Sequence, residues 1–199
     1  MVKIMRAYLW KSYLRKHVRA GAPGLLGVIF VCGLLGGCVG PELNDYAGRE
    51  PTLDPRDFFQ GELTARGIVK DYAGEVIRTF DADISASWNA QGVGTLDEVF
   101  RFDDGEVQTR VWTLQPVDNG YRATAGDVVE PGLMQSRGNT IHMNYVLRVP
   151  YGDDTLDVRM DDWMYAVTPD TVINETGMSK WGVAVGEIVL VIQRSSPDE

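Results

Sequence analysis

Apolar and polar residues alternate with a period of two through most of this chain after its N-terminal quarter. In the stretch 75–88, EVIRTFDADISASW, Phe80 and Ile84 fall on one face of an extended chain, and Asp81 falls on the other. Such alternation indicates a β-strand with one buried face, because successive side chains of a strand point to opposite sides. No long segment here has a convincing helical period, so the pattern predicts an all-β domain over residues 58–194.

Turn residues separate the alternating runs. Asp104-Gly105 and Asn119-Gly120 suit tight hairpins, because these residue types tolerate a positive φ. Short connections favour an antiparallel up-and-down meander, and closure into a barrel removes its exposed edges. The runs predict about eight or nine strands, at residues 58–71, 75–89, 94–103, 106–116, 120–129, 139–149, 154–168, 171–178 and 182–194. The residues predicted to be buried are Phe80, Ile84, Trp112, Met143, Tyr145 and Leu147.

The N-terminal segment has the features of a bacterial secretion signal. Residues 1–37 contain six basic residues and no acidic residue, and they include the apolar run 24–35. A run of this length is shorter than the roughly 20 residues that a membrane-spanning helix needs. It is typical of the apolar region of a signal peptide. We therefore expect a signal peptide over residues 1–37.

The signal ends at the sequence Leu35-Gly36-Gly37-Cys38, which resembles the lipobox of bacterial lipoproteins. Small residues before the cysteine allow a peptidase to hold extended backbone, and the thiol of Cys38 takes a diacylglycerol. Two or three acyl chains, palmitate among them, form a stable anchor where one chain is marginal. Val39 in place of an aspartate predicts the periplasmic face of the outer membrane. The alternative is an uncleaved anchor helix with an incidental cysteine.

The remainder of the chain is strongly acidic. All 28 acidic residues but only 13 of the 19 basic residues follow position 37. This balance argues against nucleic-acid binding and against direct adsorption to an anionic lipid surface. Residues 38–57 are rich in proline, glycine and charge, so we interpret them as an acylated linker, and residues 195–199 form a tail.

The chain after Cys38 offers few groups for catalysis. His142 is its one histidine, and no cysteine follows position 38. A Ser-His-Asp site would need His142, which the alternation places on a polar face. A zinc site of the usual type lacks ligands. We therefore expect no metal, no cofactor and no enzymatic activity. A hydrolase that uses two carboxylates is the weaker alternative.

The predicted ligand site is formed by inward-facing aromatic and acidic residues. Asp161-Asp162 lies inside a predicted strand, where aspartate is disfavoured. If Trp163 faces the barrel interior, Asp161 does too, and its carboxylate then needs a partner. The candidates are Arg110, Arg148 and Arg159, of which the first two are favoured. The predicted ligand-binding residues are Trp112, Tyr145, Asp161, Trp163 and Tyr165. The alternatives are an internal ion pair that sets strand register, and aromatic residues that simply fill the core.

Four blocks carry a resemblance to a known family: FFQGELTARGIVKDYAGEVIRTF, FDDGEVQTRVW, DDWMY and SKWGVAVGEI, in this order. Together they resemble a family of uncharacterised bacterial lipoproteins whose domain has no known function. The resemblance covers residues 58–193. It implies a lipocalin-like barrel and brings no established activity.

These observations predict a membrane-anchored periplasmic lipoprotein that binds or shuttles a lipid or another apolar small molecule. The second hypothesis is a structural or interaction lipoprotein with a solid barrel core. The volume and lining of the barrel interior distinguish the two, because a ligand pocket is concave and mostly apolar with a few polar groups.

Overall fold

The structure, a computed structural model, describes residues 40–195. The predicted signal peptide over 1–37 and the predicted acylation site Cys38 lie outside the described residues, as does the tail beyond residue 195. These assignments stay predictions.

Two short helical turns precede the sheet. They are a 3-10 turn at Leu43–Tyr46 and a helix, α1, at Pro55–Phe58. Asp54 caps α1 because its carboxylate accepts hydrogen bonds from the backbone N–H groups of Arg56 and Asp57. Within residues 40–195, no helix has the length and apolar character needed to cross a membrane.

Eleven strands follow α1. They are β1 Gly61–Asp71, β2 Val76–Trp88, β3 Gly94–Phe102, β4 Val107–Val117, β5 Gly120–Thr124, β6 Val128–Glu130, β7 Gly132–Arg137, β8 Thr140–Tyr151, β9 Asp154–Thr168, β10 Thr171–Lys180 and β11 Val183–Arg194. All belong to one antiparallel sheet, in which β11 pairs back with β1. Successive strands lie side by side except at β6, because β5 pairs with β7 and β6 pairs with β8. The predicted all-β, lipocalin-like up-and-down barrel is confirmed.

The barrel has ten strand positions, so the predicted number of eight or nine is slightly low. The strands β6 and β7 share one position, because both pair with β8. Pro131 interrupts them, since proline cannot donate to the ladder. The sequence predicts no strand over 132–137 because Pro131-Gly132 is a turn signal. Gly132 instead allows close packing, since a Cβ there would lie 2.5 Å from Cγ of Met143.

The alternation predicted from the sequence determines which residues form the core. In β2, Phe80, Ala82, Ile84 and Ala86 are buried, and the residues between them are exposed. The six residues predicted to be buried are all less than 10% exposed. Burial of apolar side chains on the inner face, at about 25 cal/mol per Å² of apolar surface, is the main stabilising contribution.

One end of the barrel is closed by aromatic side chains. This closed end is where β1 begins and β2 ends. Phe58 and Phe59, which precede β1, are buried there. The indole N–H of Trp88 donates a hydrogen bond to the backbone oxygen of Phe59 at 2.6 Å, and the Trp88 ring meets Tyr121 edge to face at 5.1 Å. These contacts seal the barrel against water from this side.

Residues 43–53, here called the strap, lie against the outer wall near the closed end. The Tyr46 ring packs 5.9 Å from the Trp163 ring and 5.5 Å from the Tyr165 ring. The backbone N–H of Leu53 donates to the oxygen of Gly138 at 2.8 Å. This part of the predicted linker 38–57 therefore packs on the barrel.

Candidate functional site

The interior differs between the two ends of the barrel. We call the end opposite the closed end the mouth; it is formed where β1 ends and β2 begins. Inward-facing apolar side chains near the mouth are only partly buried: Phe100, Val149, Leu156, Met178, Ile188 and Leu190. Those near the closed end, such as Leu63, Leu114 and Ile141, are almost completely buried. The inner apolar surface is therefore more exposed near the mouth than near the closed end.

Aromatic rings form one side of this wall. Phe80 lies 5.7 Å from Phe100 and 5.5 Å from Phe102, as measured between ring centroids. The guanidinium of Arg78 stacks on the Phe102 ring at 3.6 Å and pairs with Asp104 at 2.8 Å. Arg78 thus covers the edge of the aromatic cluster at the mouth, where such a cation–π contact stabilises the arrangement.

A polar layer crosses the barrel below the apolar wall. It consists of inward-facing residues from five strands, here called the polar belt: Glu98, Arg110, Trp112, Tyr145, Asp162 and Asn174. The belt lies between the packed core near the closed end and the half-exposed apolar residues near the mouth. A few polar groups converging below an apolar wall is the usual composition of a small-molecule site.

Arg110 connects the belt to the rim. Its Nε and Nη2 atoms donate to the carboxylate of Asp127 at 2.9 to 3.2 Å. Its Nη1 atom lies 4.0 Å from Oε2 of Glu98, its neighbour across the β3–β4 ladder. Two-point pairing with Asp127 fixes the orientation of the guanidinium.

Asp162 forms the other half of the belt. The Asn174 amide donates to its Oδ1 atom, and the Tyr145 hydroxyl donates to its Oδ2 atom at 3.4 Å. The Tyr145 ring packs edge to face on Trp112 at 5.2 Å. Asp162 is 5% exposed, so these hydrogen bonds replace those that water would make.

Burial controls the protonation of both belt carboxyl groups. Burial raises the pKa of Glu98 from 4.5 to about 7, although Arg110 and the Trp112 side chain oppose the shift. Burial likewise raises the pKa of Asp162 from 3.8 to about 6, against the hydrogen bonds from Asn174, Thr176 and Tyr145. At neutral pH Glu98 is therefore present in both forms and can donate or accept a hydrogen bond.

The structure divides the predicted ligand residues into two groups. Trp112 and Tyr145 lie inside the barrel, in the polar belt, at 6% exposure each. Asp161, Trp163 and Tyr165 lie on the outer wall of β9, because Asp162 and the methionines on either side of it face inward. The prediction that Asp161 faces inward beside an arginine is wrong.

The outer residues of β9 have partners of their own. Oδ1 of Asp161 lies 2.7 Å from Nε2 of His142. The His142 ring stacks on Trp163 at 3.9 Å, and the strap residue Tyr46 covers Trp163 and Tyr165. The proposed arginine partners pair elsewhere, since Arg148 binds Asp157 at 2.8 Å and Arg110 binds Asp127. The strap is the physical reason that large aromatic residues occur on an outer wall.

Sequence reasoning missed Glu98, Asp162 and Asn174 as inward-facing polar residues. The sequence carries a signal for the two acidic residues. Glu98 alternates with Leu96 and Phe100, and Asp162 alternates with Met160 and Met164. Residues two positions apart in a strand lie on the same face. A charged residue with apolar residues two positions before and two positions after it is therefore directed into the core.

Two clefts lie on the outside of the barrel. The larger, of about 740 Å³, is lined by residues 41–44, the β4–β5 turn and residues 135–137 of β7, together with His142 and Trp163. The smaller, of about 390 Å³, lies beside Arg122 and Leu133. Neither cleft includes a residue of the polar belt.

Comparison with known proteins gives a family and two similar folds. The family model described as a protein of unknown function (DUF3833) matches residues 32–194. No curated protein matches significantly. The S-type phycobiliprotein lyase CPES from Guillardia theta is 14% identical, with a TM-score of 0.47 over 70% of this chain and 89% of that chain. The structure of EF1p2_mFAP2b bound to DFHBI is 10% identical, with a TM-score of 0.39 over 70% of this chain and 98% of that chain.

Proposed function

The chain belongs to the DUF3833 family, whose function is unknown, and we propose that it is a binding protein whose barrel holds a small amphipathic molecule. The apolar part of the ligand occupies the half-exposed wall near the mouth. Its polar end reaches the polar belt. In this proposal the protein does not catalyse a reaction.

The observation that carries the proposal is the contrast between the two ends of the barrel. The closed end is sealed by Phe58, Phe59 and Trp88, whereas inward-facing apolar residues near the mouth are partly exposed. An eight-stranded barrel already has room for one small ligand, and the diameter grows with the number of strands. A barrel with ten strand positions is therefore wider than the smallest barrels that hold a ligand.

A lipid anchor is the second part of the proposal. Its support is the sequence of a basic segment, a short apolar run and the Leu35-Gly36-Gly37-Cys38 motif. An acylated Cys38 would tether the domain to the periplasmic face of the outer membrane. The packed strap begins only a few residues after Cys38 and lies near the closed end. Five residues span at most about 17 Å, so the anchor would hold the closed end near the membrane and leave the mouth accessible.

An interaction protein is the alternative function, and one observation favours it. Several exposed apolar residues lie at the hairpin tips around the mouth, among them Tyr72, Val107 and Trp181, with Trp181 84% exposed. Exposed apolar groups that cluster mark contact surfaces. In this alternative the rim of the barrel contacts a partner protein and the interior holds nothing.

The decisive experiment compares two tryptophan substitutions on β11. Ile188→Trp places an indole inside the mouth, and Val191→Trp places the same group on the outer wall, where Val191 is 38% exposed. Binding of the neutral apolar dye Nile red is measured by its fluorescence. The proposal expects Ile188→Trp to weaken binding by about tenfold or more, equivalent to about 1.4 kcal/mol, and Val191→Trp to leave it unchanged.

A small molecule that copurifies with the wild-type chain, identified by native mass spectrometry, would add direct support. Equal dye binding by both variants and the wild type would place the dye outside the barrel and contradict the proposal. Absence of any binding, together with an unliganded wild type, would favour the interaction protein.

A further inference from the structure

The charges of the polar belt and its rim partner Asp127 are unequal. Arg110 lies beside the carboxylates of Glu98 and Asp127, and the carboxylate of Asp162 acts on Glu98. Mutual repulsion among the three acidic groups is part of the reason that the pKa of Glu98 is raised. An anion that entered this site would add a fourth negative charge at low dielectric, where such repulsion is strong.

Both arginines near the site have acidic partners, although Nε of Arg78 has no hydrogen-bond partner in the described part of the chain. Arg110 donates through Nε and Nη2 to Asp127, so its two-point donor face is occupied. Arg78, at the mouth, pairs with both Asp104 and Glu106 at 2.8 Å and stacks on Phe102. A carboxylate or phosphate head group would have to displace an acidic partner to gain two-point pairing with either guanidinium. The geometry therefore disfavours anionic ligands.

Glu98 is the residue of the polar belt whose carboxylate can accept further hydrogen bonds. Its side chain is 12% exposed, yet among residues 40–195 it accepts no hydrogen bond of regular geometry. Arg110 lies 4.0 Å away, and the Trp112 indole interacts with Glu98 outside regular hydrogen-bond geometry. The carboxylate of Asp162, in contrast, has donors on both oxygens. A buried carboxylate without a full set of donors is unfavourable, and a donor from a ligand removes that penalty.

We propose that the barrel selects an amphiphile whose head group is a protonated amine, and that Glu98 is the residue that recognises it. The ammonium group donates its N–H groups to the Glu98 carboxylate, and the alkyl chain packs on Phe100, Ile188 and Leu190. The inference rests on the proposed binding function and specifies its ligand class. It predicts that fatty-acid anions, the simplest lipids of similar shape, are poor ligands.

The test uses three amphiphiles that differ only in the head group: dodecylammonium, dodecanol and dodecanoate. The full-length chain is held in amphipol, and each compound competes with Nile red for the barrel at neutral pH. The Ile188→Trp chain gives the background from binding outside the barrel. We expect dodecylammonium to bind at least about tenfold more tightly than dodecanoate, with dodecanol between them.

Two neighbouring substitutions assign the preference to Glu98. Glu98→Gln should reduce the ratio between dodecylammonium and dodecanoate to about threefold or less. Asp97→Asn removes a charge of the same sign from the next residue, which faces the outside, and should leave the ratio unchanged. Asp97→Asn also controls for the general effect of a lost charge on amine binding.

The outcomes separate this inference from the binding function. Binding of all three amphiphiles without preference, or tighter binding of dodecanoate, would keep the binding function and overturn the ligand class. A preference for the amine that Glu98→Gln does not change would overturn the role of Glu98. If none of the three competes and Nile red itself does not bind, the binding function and this inference fail together.

Discussion

The carboxylates of Asp161 and Asp162, adjacent in the chain, lie on opposite sides of the barrel wall. Asp162 faces the interior and accepts hydrogen bonds from Asn174 and Tyr145. Asp161 faces outward and lies 2.7 Å from Nε2 of His142. The two aspartates carry the same side chain in a buried and an exposed environment. Comparing them therefore measures how much the polar belt contributes to the stability of the fold.

The first prediction uses this pair. At pH 5 Asp162→Ala should lower the free energy of unfolding by about 2 to 3 kcal/mol, because the Asn174 amide and the Tyr145 hydroxyl lose a buried partner. Asp161→Ala should have little effect, because its side chain is 54% exposed and surface ion pairs contribute little. Urea denaturation of both variants measures the difference. Equal destabilisation would show that the belt hydrogen bonds contribute nothing beyond a surface pair.

The second prediction concerns the pH dependence of stability. The pKa of Glu98 is about 7 in the folded protein, and its ordinary value is 4.5. The folded state therefore holds this proton more tightly than the unfolded state, so stability is highest below pH 4.5 and falls as the pH rises towards 7. The shift in the pKa of Glu98 corresponds to a loss of about 3 kcal/mol in the free energy of unfolding. Denaturation midpoints measured between pH 4 and 8 should show this decline.

Glu98→Gln provides the corresponding variant, because it cannot ionise. It should be more stable than the wild type at pH 8, by about 2 kcal/mol, and should lose the decline between pH 6 and 7. Between pH 4 and 6 the decline should become shallower without vanishing, because the raised pKa of Asp162, about 6, also contributes there. Asp97→Asn serves as the exposed control from the same strand. A wild type whose stability rises from pH 5 to 7 would contradict the assignment.

The third prediction tests the anchor. Cys38→Ser should abolish incorporation of labelled palmitate and leave the signal peptide uncleaved, because acylation of the thiol precedes cleavage at the lipobox. The measurement is palmitate labelling of cells that express each chain, with membrane fractionation. Cys32→Ser is the control, since Cys32 lies within the predicted signal. Equal labelling of wild type and the Cys38→Ser chain would exclude lipidation at this residue.

Alternation was sufficient to predict most of the barrel. A strand with one exposed and one buried face has alternating polar and apolar residues, and this pattern can be identified within the strand's own sequence. The boundaries of β2 and β9 were predicted to within one residue at each end. The strand over 132–137 was missed because Pro131-Gly132 is a turn signal when considered locally. The barrel wall accommodates Pro131-Gly132 because Met143, a residue of another strand, fills the space over Gly132.

The candidate site was harder to predict, because alternation divides a strand into two faces without stating which face is inside. In β9 the sequence offers a face with Trp163 and Tyr165 and a face with Met160, Asp162 and Met164. A large aromatic pair favours the interior as a rule. Here the strap covers the aromatic face from outside, and packing between distant segments cannot be derived from the strand itself.

The fourth prediction tests how the strap is held, through two glycines of similar conformation. Gly138 and Gly152 occupy hairpin turns with φ values of 52° and 63°. A Cβ at Gly138 would overlap the backbone oxygen of Tyr46, whereas a Cβ at Gly152 would have no atom within 4 Å. Gly138→Ala should therefore displace the strap in addition to straining the turn, and Gly152→Ala should only strain the turn, by about 1 to 2 kcal/mol.

Limited trypsin digestion distinguishes these effects, because Arg49 lies in the strap and pairs with Tyr46 through a cation–π contact at 4.6 Å. Trypsin should cleave the Gly138→Ala chain after Arg49 severalfold faster than the wild type. It should cleave the Gly152→Ala chain there at the wild-type rate. A displaced strap also uncovers Trp163, so its fluorescence should shift towards that of a solvated indole in the first variant alone. If both variants behave alike, the strap does not depend on close approach at Gly138, and the aromatic contacts of Tyr46 with Trp163 and Tyr165 hold it by themselves.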